Sequence, residues 1–288
     1  MNYVFIINSF SLKKETNKIK DKLINACEKL NLNYEIEINS NSNPTEKIVK
    51  KYHDSHSIIV CIGGDGTINR TLNSIIGTSN VLGYVPLGTG NDFYKTNRET
   101  LKNGINEVDL IKINNKYFLN TACFGIDADI GSEEIVHSNV IPKSQRYSLA
   151  AIKNIVKFRG KKFKICINGK EYKDDYTTIV IANGKYYGGG FMVAPSALLD
   201  DGIVEVYLAK RMPKLRMIKL FRDLKNGNHE KDKYVTKIRT TEVRIESLNE
   251  TECLIDGEVL KDKKFNVKVI PKGIKIFYDE NLIEELLK

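Results

Sequence analysis

The chain has 288 residues, of which 41% are hydrophobic, 28% charged and only 6 proline. This is globular composition, with length enough for two cores, because single domains usually stop growing near about 250 residues. No stretch reaches the roughly 18 consecutive apolar residues of a membrane span. The 45 basic and 36 acidic residues leave a net charge of +9, which suits a polyanionic partner: a nucleotide, a nucleic acid or an anionic membrane face.

The first 110 or so residues alternate strand and helix patterns. "YVFII" (3–7) is a short apolar run without the basic flank of a signal peptide, so it reads as a first strand and the cytoplasm as the default location. Ile19, Leu23, Cys27 and Leu30 then recur at helical spacing, and "YEIEI" (34–38) alternates as a strand. Asn43-Pro44-Thr45-Glu46 reads as an N-cap, a proline at the first helical position and an acid at the third. "SIIVCI" (57–62) is apolar on both faces, as a central parallel strand should be. Ile68, Leu72, Ile75 and Ile76 form a helical stripe closed by Gly77, and "VLGYV" (81–85) supplies the next strand. This order predicts a doubly wound parallel α/β domain.

After about residue 105 strand patterns crowd together: 107–113, 117–124, 163–168, 176–182, 190–194, 203–209, 234–246, 252–255, 265–270 and 274–278. Asn114-Asn115, Asn168-Gly169, Asp201-Gly202 and Asp256-Gly257 supply turn signals between them. The expected architecture is an all-β sandwich interrupted by helical patches near 144–158 and 213–226, with "NLIEELLK" closing the chain as a helix. The predicted boundaries are 1–112, with roughly 277–288 returning, for the α/β domain and 113–276 for the sandwich. Five dispersed cysteines read as reduced core thiols, and four histidines without ligand spacing as exposed polar residues.

Two loops draw the chemistry together. "GGDGT" (63–67) lies between an apolar run and a helix, the place where α/β proteins bind phosphates. A plain βα turn that needs positive φ is the alternative. Asp65 weighs against that alternative only if a cation lies between its carboxylate and a phosphate. "PLGTGNDF" (86–93) repeats the ingredients with Thr89, Asn91 and Asp92. There is no G-x-x-x-x-G-K-[ST] loop and no H-R-D or D-F-G set, so ordinary NTPase and protein-kinase readings fail.

"GGDGT" followed by "PLGTGNDF", "EVDLIKI" (107–113), "FLNTACFGIDADI" (118–130), "GGGFMVAPSALLDDGIVEV" (188–206) and "LIDGEVL" (254–260) resembles the diacylglycerol kinase catalytic-domain family, which includes bacterial lipid kinases and sphingosine and ceramide kinases. The resemblance implies a two-domain kinase, its α/β domain NAD-kinase-like, with ATP in the cleft between α/β domain and β-sandwich. It places the nucleotide at Gly63, Gly64, Asp65, Gly66, Thr67, Asn69, Arg70, Gly88, Thr89, Asn91 and Asp92, with Asn8 and Asn39 as further contacts. Asp65, Asp92 and Asp109 match acids that hold a catalytic Mg2+, and Glu258 matches the carboxylate that takes the proton from the lipid hydroxyl. Asp201, with the carbonyls of Leu198 and Ile203, matches a separate structural Mg2+ site.

On spacing alone, Asp201-Gly202 and Asp256-Gly257 read as plain hairpin turns. Arg70 departs from the glutamate common in the family, and "NSFSLKKE" lacks its usual proline and glycine, leaving Asn8, Ser9 and Ser11 for phosphate contact. Two basic amphipathic stretches, 146–164 and 214–225, are candidates for contact with an anionic membrane. The expectation is an ATP- and Mg2+-dependent kinase of a lipid hydroxyl, foremost diacylglycerol, cytoplasmic and peripheral at the inner membrane face. No nucleic-acid motif is found, and a homodimer stays open. The rivals are an NAD kinase, which shares "GGDGT", and a non-catalytic lipid- or nucleotide-binding regulator.

Overall fold

The computed structural model describes residues 2–10, 12, 15–88, 90–131, 153–155 and 157–287. The chain divides into two compact units, Met1–Val108 with Lys272–Lys288, and Asp109–Pro271.

In the first unit, strands β1 (Asn2–Asn8), β2 (Asn33–Asn39), β3 (Ile58–Gly63) and β4 (Val81–Pro86) pair in parallel in the order β2-β1-β3-β4. Helices α1 (Thr16–Lys29), α2 (Thr45–Lys51) and α3 (Asp65–Ile75) make the crossovers, and α4 (Asp92–Thr100) follows β4. Every residue of β3 is buried, which is why its sequence is apolar without alternation. The chain steps from β1 outward to β2 and then back past β1 to β3 and β4. Right-handed crossovers therefore put α1 on one face of the sheet and α2 and α3 on the other. Accordingly α2 packs on α3, while α1 packs on the closing helix, Glu280–Leu287. The α1 face buries Phe5, Ile7, Leu23, Cys27, Val60 and Leu282 among others, and each fully buried aliphatic contributes about 2 kcal/mol. Helix α2 starts one residue later than expected: Pro44, extended at φ −69°, takes the cap position in place of Asn43.

The second unit is antiparallel. Its strands are β5 (Gly104–Ile113, which begins in the first unit), β6 (Lys116–Phe118), β7 (Thr121–Gly125), β8 (Lys161–Ile167), β9 (Lys170–Ala182), β10 (Tyr186–Tyr187), β11 (Phe191–Met192), β12 (Val204–Lys210), β13 (Val235–Thr240), β14 (Glu242–Ile255) and β15 (Glu258–Tyr278, which ends in the first unit). Helix α5 (Ile126–Gly131) follows β7, α6 (Lys214–Leu224) follows β12, and the closing helix becomes α7. The two long strands bend the sheet. One end of β14 pairs with β8 and the other with β7, and β9 pairs with β8, β7 and β12 along its length. The enclosed core is mainly isoleucine and valine around a group of phenylalanines, in which Phe124 meets Phe265 edge-on at 4.9 Å and Phe163 at 6.0 Å. Asn168 (φ 50°) and Gly169 (φ 74°) form the two-residue turn that joins β8 to β9.

Several strands differ from the sequence reading. β9 begins at Lys170 because "KEYKDD" is an exposed edge continuing from that turn. The pattern at 190–194 shrinks to Phe191–Met192, since Gly188, Gly189 and Gly190 all take positive φ. The pattern at 234–246 breaks at Thr241, where the Thr240 hydroxyl bonds Glu242 and turns the corner. The last two predicted strands are one, β15, with Lys272 at φ 50° inside it. Most of the 144–158 patch, including Leu149, Ile152 and Val156, lies outside the described residues, as do Ser11, Thr89 and His137.

All five cysteines are free thiols, four of them buried. His229 corrects the reading of the histidines as exposed. It is 3% exposed, because the 3-10 turn Asn228–Lys231 folds its ring onto Tyr207 at 5.3 Å. Among the described residues no helix is long and apolar enough to cross a membrane.

Candidate active site

The predicted residues of the first unit gather at the carboxyl ends of its parallel strands. Asn8 ends β1 opposite Asn39 of β2, and Gly63 ends β3 opposite Pro86 of β4. The order β2-β1-β3-β4 reverses between β1 and β3, the kind of switch point at which open α/β sheets bind ligands.

The glycines there serve close approach rather than positive φ. Gly64 is extended, at φ −97° and ψ −173°, and neither Gly63 nor Gly88 is left-handed. A Cβ on Gly88 would lie 2.4 Å from the Cα of Gly64, so the two loops touch backbone to backbone. A Cβ on Gly63 would lie 2.5 Å from Thr67 Oγ1. That hydroxyl accepts a 2.6 Å buried hydrogen bond from Asn8 Nδ2, and Asn8 Oδ1 accepts the amide of Phe10. Asn8 and Thr67 thus tie the end of β1 to the start of α3 beneath the first loop. Asn39, 1% exposed, donates to Thr45 Oγ1, and its carbonyl accepts the Ser9 hydroxyl. Its side chain therefore supports the start of α2.

The second loop is held the same way. Asn91, left-handed at φ 50°, accepts the Gly88 amide at 2.9 Å and donates to the Pro86 carbonyl. Asp65 reaches across from α3 and accepts the amides of Asp92 and Phe93, each at 3.3 Å, at the N-terminus of α4, where the helix dipole favours an anion. Asp92 is 5% exposed, and Lys95 sits 3.2 Å from its Oδ1. Above the bare Cα of Gly90, a point one bond length away lies 3.1 Å from Asp65 Oδ2 and 3.3 Å from Asp92 Oδ2. Two carboxylates brought to the same glycine are the donor type that a hard divalent cation takes. Asn69 is buried on α3 and Arg70 half-buried beside it.

In the second unit Asp109, fully buried, accepts the Gly202 amide at 2.6 Å, while its own amide donates to the Leu199 carbonyl. Its carboxylate anchors the 199–202 loop. Asp201 accepts the Ile203 amide at 3.1 Å on one oxygen and Arg239 at 2.5 Å on the other, and Leu198 is 47% exposed. The guanidinium supplies the positive charge at that carboxylate, so these residues do not fit the structural Mg2+ that the resemblance implies. Among the described residues no three carboxylate, histidine or cysteine side chains cluster to hold a metal.

Glu258, half-buried, begins β15 directly across the two-residue turn from Ile255. Asp256 (φ 45°) and Gly257 (φ 90°) make that turn, with the dihedral signs of a type I′ hairpin. Asp256 is more than a turn residue. Its carboxylate accepts the amides of Leu119 (2.8 Å), Asn120 (3.2 Å) and Thr121 (2.8 Å), and its amide donates back to Thr121. Those bonds set where Glu258 starts. The Asp-Gly signal was visible in the sequence; its partners, more than a hundred residues away, were not.

A further carboxylate went unassigned. Asp127, at the start of α5, is 3% exposed and accepts the hydroxyls of Thr178 (2.5 Å) and Tyr187 (3.2 Å). Burial pushes its pKa up to about 6, against the opposing pull of those two hydroxyls.

Comparison with known proteins follows the same division. Residues 2–116 match the Diacylglycerol kinase catalytic domain, and 120–278 match the YegS C-terminal NAD kinase beta sandwich-like domain. The chain is 27% identical to a Staphylococcus carnosus protein named "Putative lipid kinase", over 93% of this chain and 92% of the other. It is 26% identical to a Shewanella frigidimarina protein named "Probable lipid kinase YegS-like", over 81% and 80%. The fold is shared with a solved structure described as "a putative diacylglycerol kinase from Bacillus anthracis", at a TM-score of 0.78 and 20% identity over 98% of both chains. With the glycine-carboxylate loops in the first unit and the Asp256-held turn in a sandwich matched over 159 residues, the chain belongs to the diacylglycerol kinase catalytic-domain family, in its YegS-like lipid kinase form.

Proposed function

We propose that the protein transfers the γ-phosphate of ATP, with Mg2+, to the hydroxyl of a membrane lipid, diacylglycerol being the acceptor and phosphatidate the product. The convergence of Asp65 and Asp92 over Gly90, beside the Gly64–Gly88 contact, carries this reading. A carboxylate pair at a phosphate-type loop is electrostatically unfavourable unless a cation lies between acid and phosphate. Asp65 and Asp92 would hold that Mg2+, which when bound neutralises charge on the β- and γ-phosphates. The glycine loops at 63–66 and 88–90 let the backbone approach the phosphates, and the start of α3 presents its dipole to them. Asn8, Thr67 and Asn91 act beneath the nucleotide, through the loops that they bond. Asp109 serves as the anchor of the 199–202 loop.

Glu258 takes the proton from the attacking hydroxyl, and Asp256 positions it by fixing the turn. Removing a general base costs on the order of 100-fold or more in turnover. The expected result for Glu258→Gln is that loss with ATP affinity unchanged, whereas Asp65→Asn weakens Mg-ATP binding itself. Radiolabelled ATP with a panel of lipids in mixed micelles, followed by product identification, checks both the reaction and the acceptor. Label appearing in NAD, and in no lipid, would replace this reading with the NAD kinase one. A fully active Glu258→Gln variant would remove the assignment of the base.

A further inference from the structure

Large apolar side chains exposed to solvent are scattered singly over most of the described surface. Phe10, Ile105, Leu198, Leu248, Val259 and Leu287 each lie on a different element, and isolated cases of this kind are ordinary. Helix α6 is the exception, for it carries two, Leu215 at 82% exposure and Ile218 at 55%. They are three residues apart and so adjacent on one face. Neither is needed by the fold, because α6 is already seated by Met217, Leu220 and Leu224 on its opposite face.

The charges around this pair have one sign. The helix sequence "KLRMIKLFRDL" holds four basic residues and one acid, and Lys225 follows it. At 100° per residue Lys219 and Arg222 lie beside Leu215 and Ile218, with Lys214 and Lys225 along the flank. Asp223 is already paired with Lys219, at 2.9 Å. Lys214 donates to the carbonyls of Ile155 and Phe158, which pins the start of the helix and leaves its charge without a local anion among those contacts. Arg222 and Lys225 are exposed.

From this we infer that the outer face of α6 is the surface by which the protein docks on an anionic lipid bilayer. Leu215 and Ile218 would enter the acyl boundary, and Lys219, Arg222 and Lys225 would face lipid phosphates. A helix with exposed aliphatics bounded by cations binds such an interface through apolar area and electrostatic attraction together. An acidic surface alone would match the cations and leave two protruding aliphatics in water, whereas an anionic bilayer answers both. The inference rests on the lipid-kinase reading only for its purpose: an enzyme whose acceptor stays in the bilayer must come to it.

The test is co-sedimentation of the full chain with vesicles of phosphatidylcholine alone and of phosphatidylcholine mixed equally with phosphatidylglycerol, at low and high salt. The wild type is expected to bind the mixed vesicles, and to bind less as salt rises. Leu215→Glu/Ile218→Glu and Lys219→Glu/Arg222→Glu should each lose on the order of tenfold in binding. Both should keep the wild-type thermal midpoint and activity on a short-chain diacylglycerol dispersed in detergent. Equal binding by the wild type and both double variants overturns the inference, as does a wild type that ignores anionic lipid. A shift of the Leu215/Ile218 variant from dimer to monomer with vesicle binding intact would assign the face to a second copy of the chain, and also overturns it. Vesicle binding lost in the variants while no lipid is phosphorylated by any of the proteins would leave the docking surface standing and remove the kinase reading instead.

Discussion

Two Asp-Gly pairs in the second unit look alike in the sequence and are used in opposite ways. Asp256 turns its carboxylate inward onto three consecutive amides, at Leu119, Asn120 and Thr121, and both residues of the pair take positive φ. Asp201 turns outward to the exposed guanidinium of Arg239, and of that pair it is Gly202 that takes positive φ, giving its amide to Asp109. The first pair is a tight hairpin turn whose carboxylate is tied to a distant segment. The second is a loop corner fastened by someone else's carboxylate. Local dipeptide signals identify a change of direction; the role of the carboxylate depends on what the rest of the chain brings to it.

The contrast is open to measurement, and the largest effect should fall on Asp256. Asp256→Ala leaves three amides short of their acceptor and is expected to cost about 3 kcal/mol by urea denaturation. It should also lower turnover more than ATP affinity, because Glu258 loses its setting. Asp256→Asn keeps an acceptor and a residue tolerant of positive φ, and should cost about 1 kcal/mol. Equal losses for the two variants would show that the turn conformation, and not the carboxylate, is what matters.

Asp127 extends the comparison to a third environment, a carboxylate buried between two hydroxyls. Its pKa is raised to about 6 by burial, so between pH about 4 and 6 the folded protein holds a proton that the unfolded chain has released. Stability therefore falls as pH rises through that window, by about 3 kcal/mol, and stays low above it. Asp127→Asn removes this dependence. The urea midpoint of the wild type should drop relative to that variant from pH 4 to pH 7, and parallel profiles would show that other groups supply the protons.

The smallest effect belongs to Arg239. Half-exposed ion pairs are worth about 0.5 kcal/mol, and Arg239→Ala should lose no more than that. With the guanidinium present, adding Mg2+ should raise the thermal midpoint equally in the wild type and in Asp201→Asn. A stabilisation by Mg2+ that Asp201→Asn alone abolishes would restore a metal to that loop and erase the difference between the two pairs.

Much of the architecture was legible because burial writes itself into composition. The apolar run "IIVCI" announced a strand covered on both faces, and alternation with helical stripes announced the parallel sheet. The two glycine-carboxylate loops of the first unit were legible as neighbours, the roles of their residues less so. Composition cannot tell a glycine needed for positive φ from one needed for contact, and Gly63, Gly64 and Gly88 prove to be the second kind. The resemblance implies ligand contacts at Asn8, Thr67 and Asn91; their hydrogen bonds also tie the loops together, a role that the sequence does not announce. The amides that donate to Asp256 and the depth of His229 depend on long-range packing that no local pattern reports.

The bond between Asn8 and Thr67 beneath Gly63 has one more implication. A loop tied from below by its own strand and helix has already given up its conformational freedom before any ligand arrives. A nucleotide would meet a finished surface there, and little of its binding energy would go into ordering the protein. Discrimination among nucleotides would then reside in shape rather than in induced closure of this loop, and a larger residue at position 63 would damage the unliganded protein first.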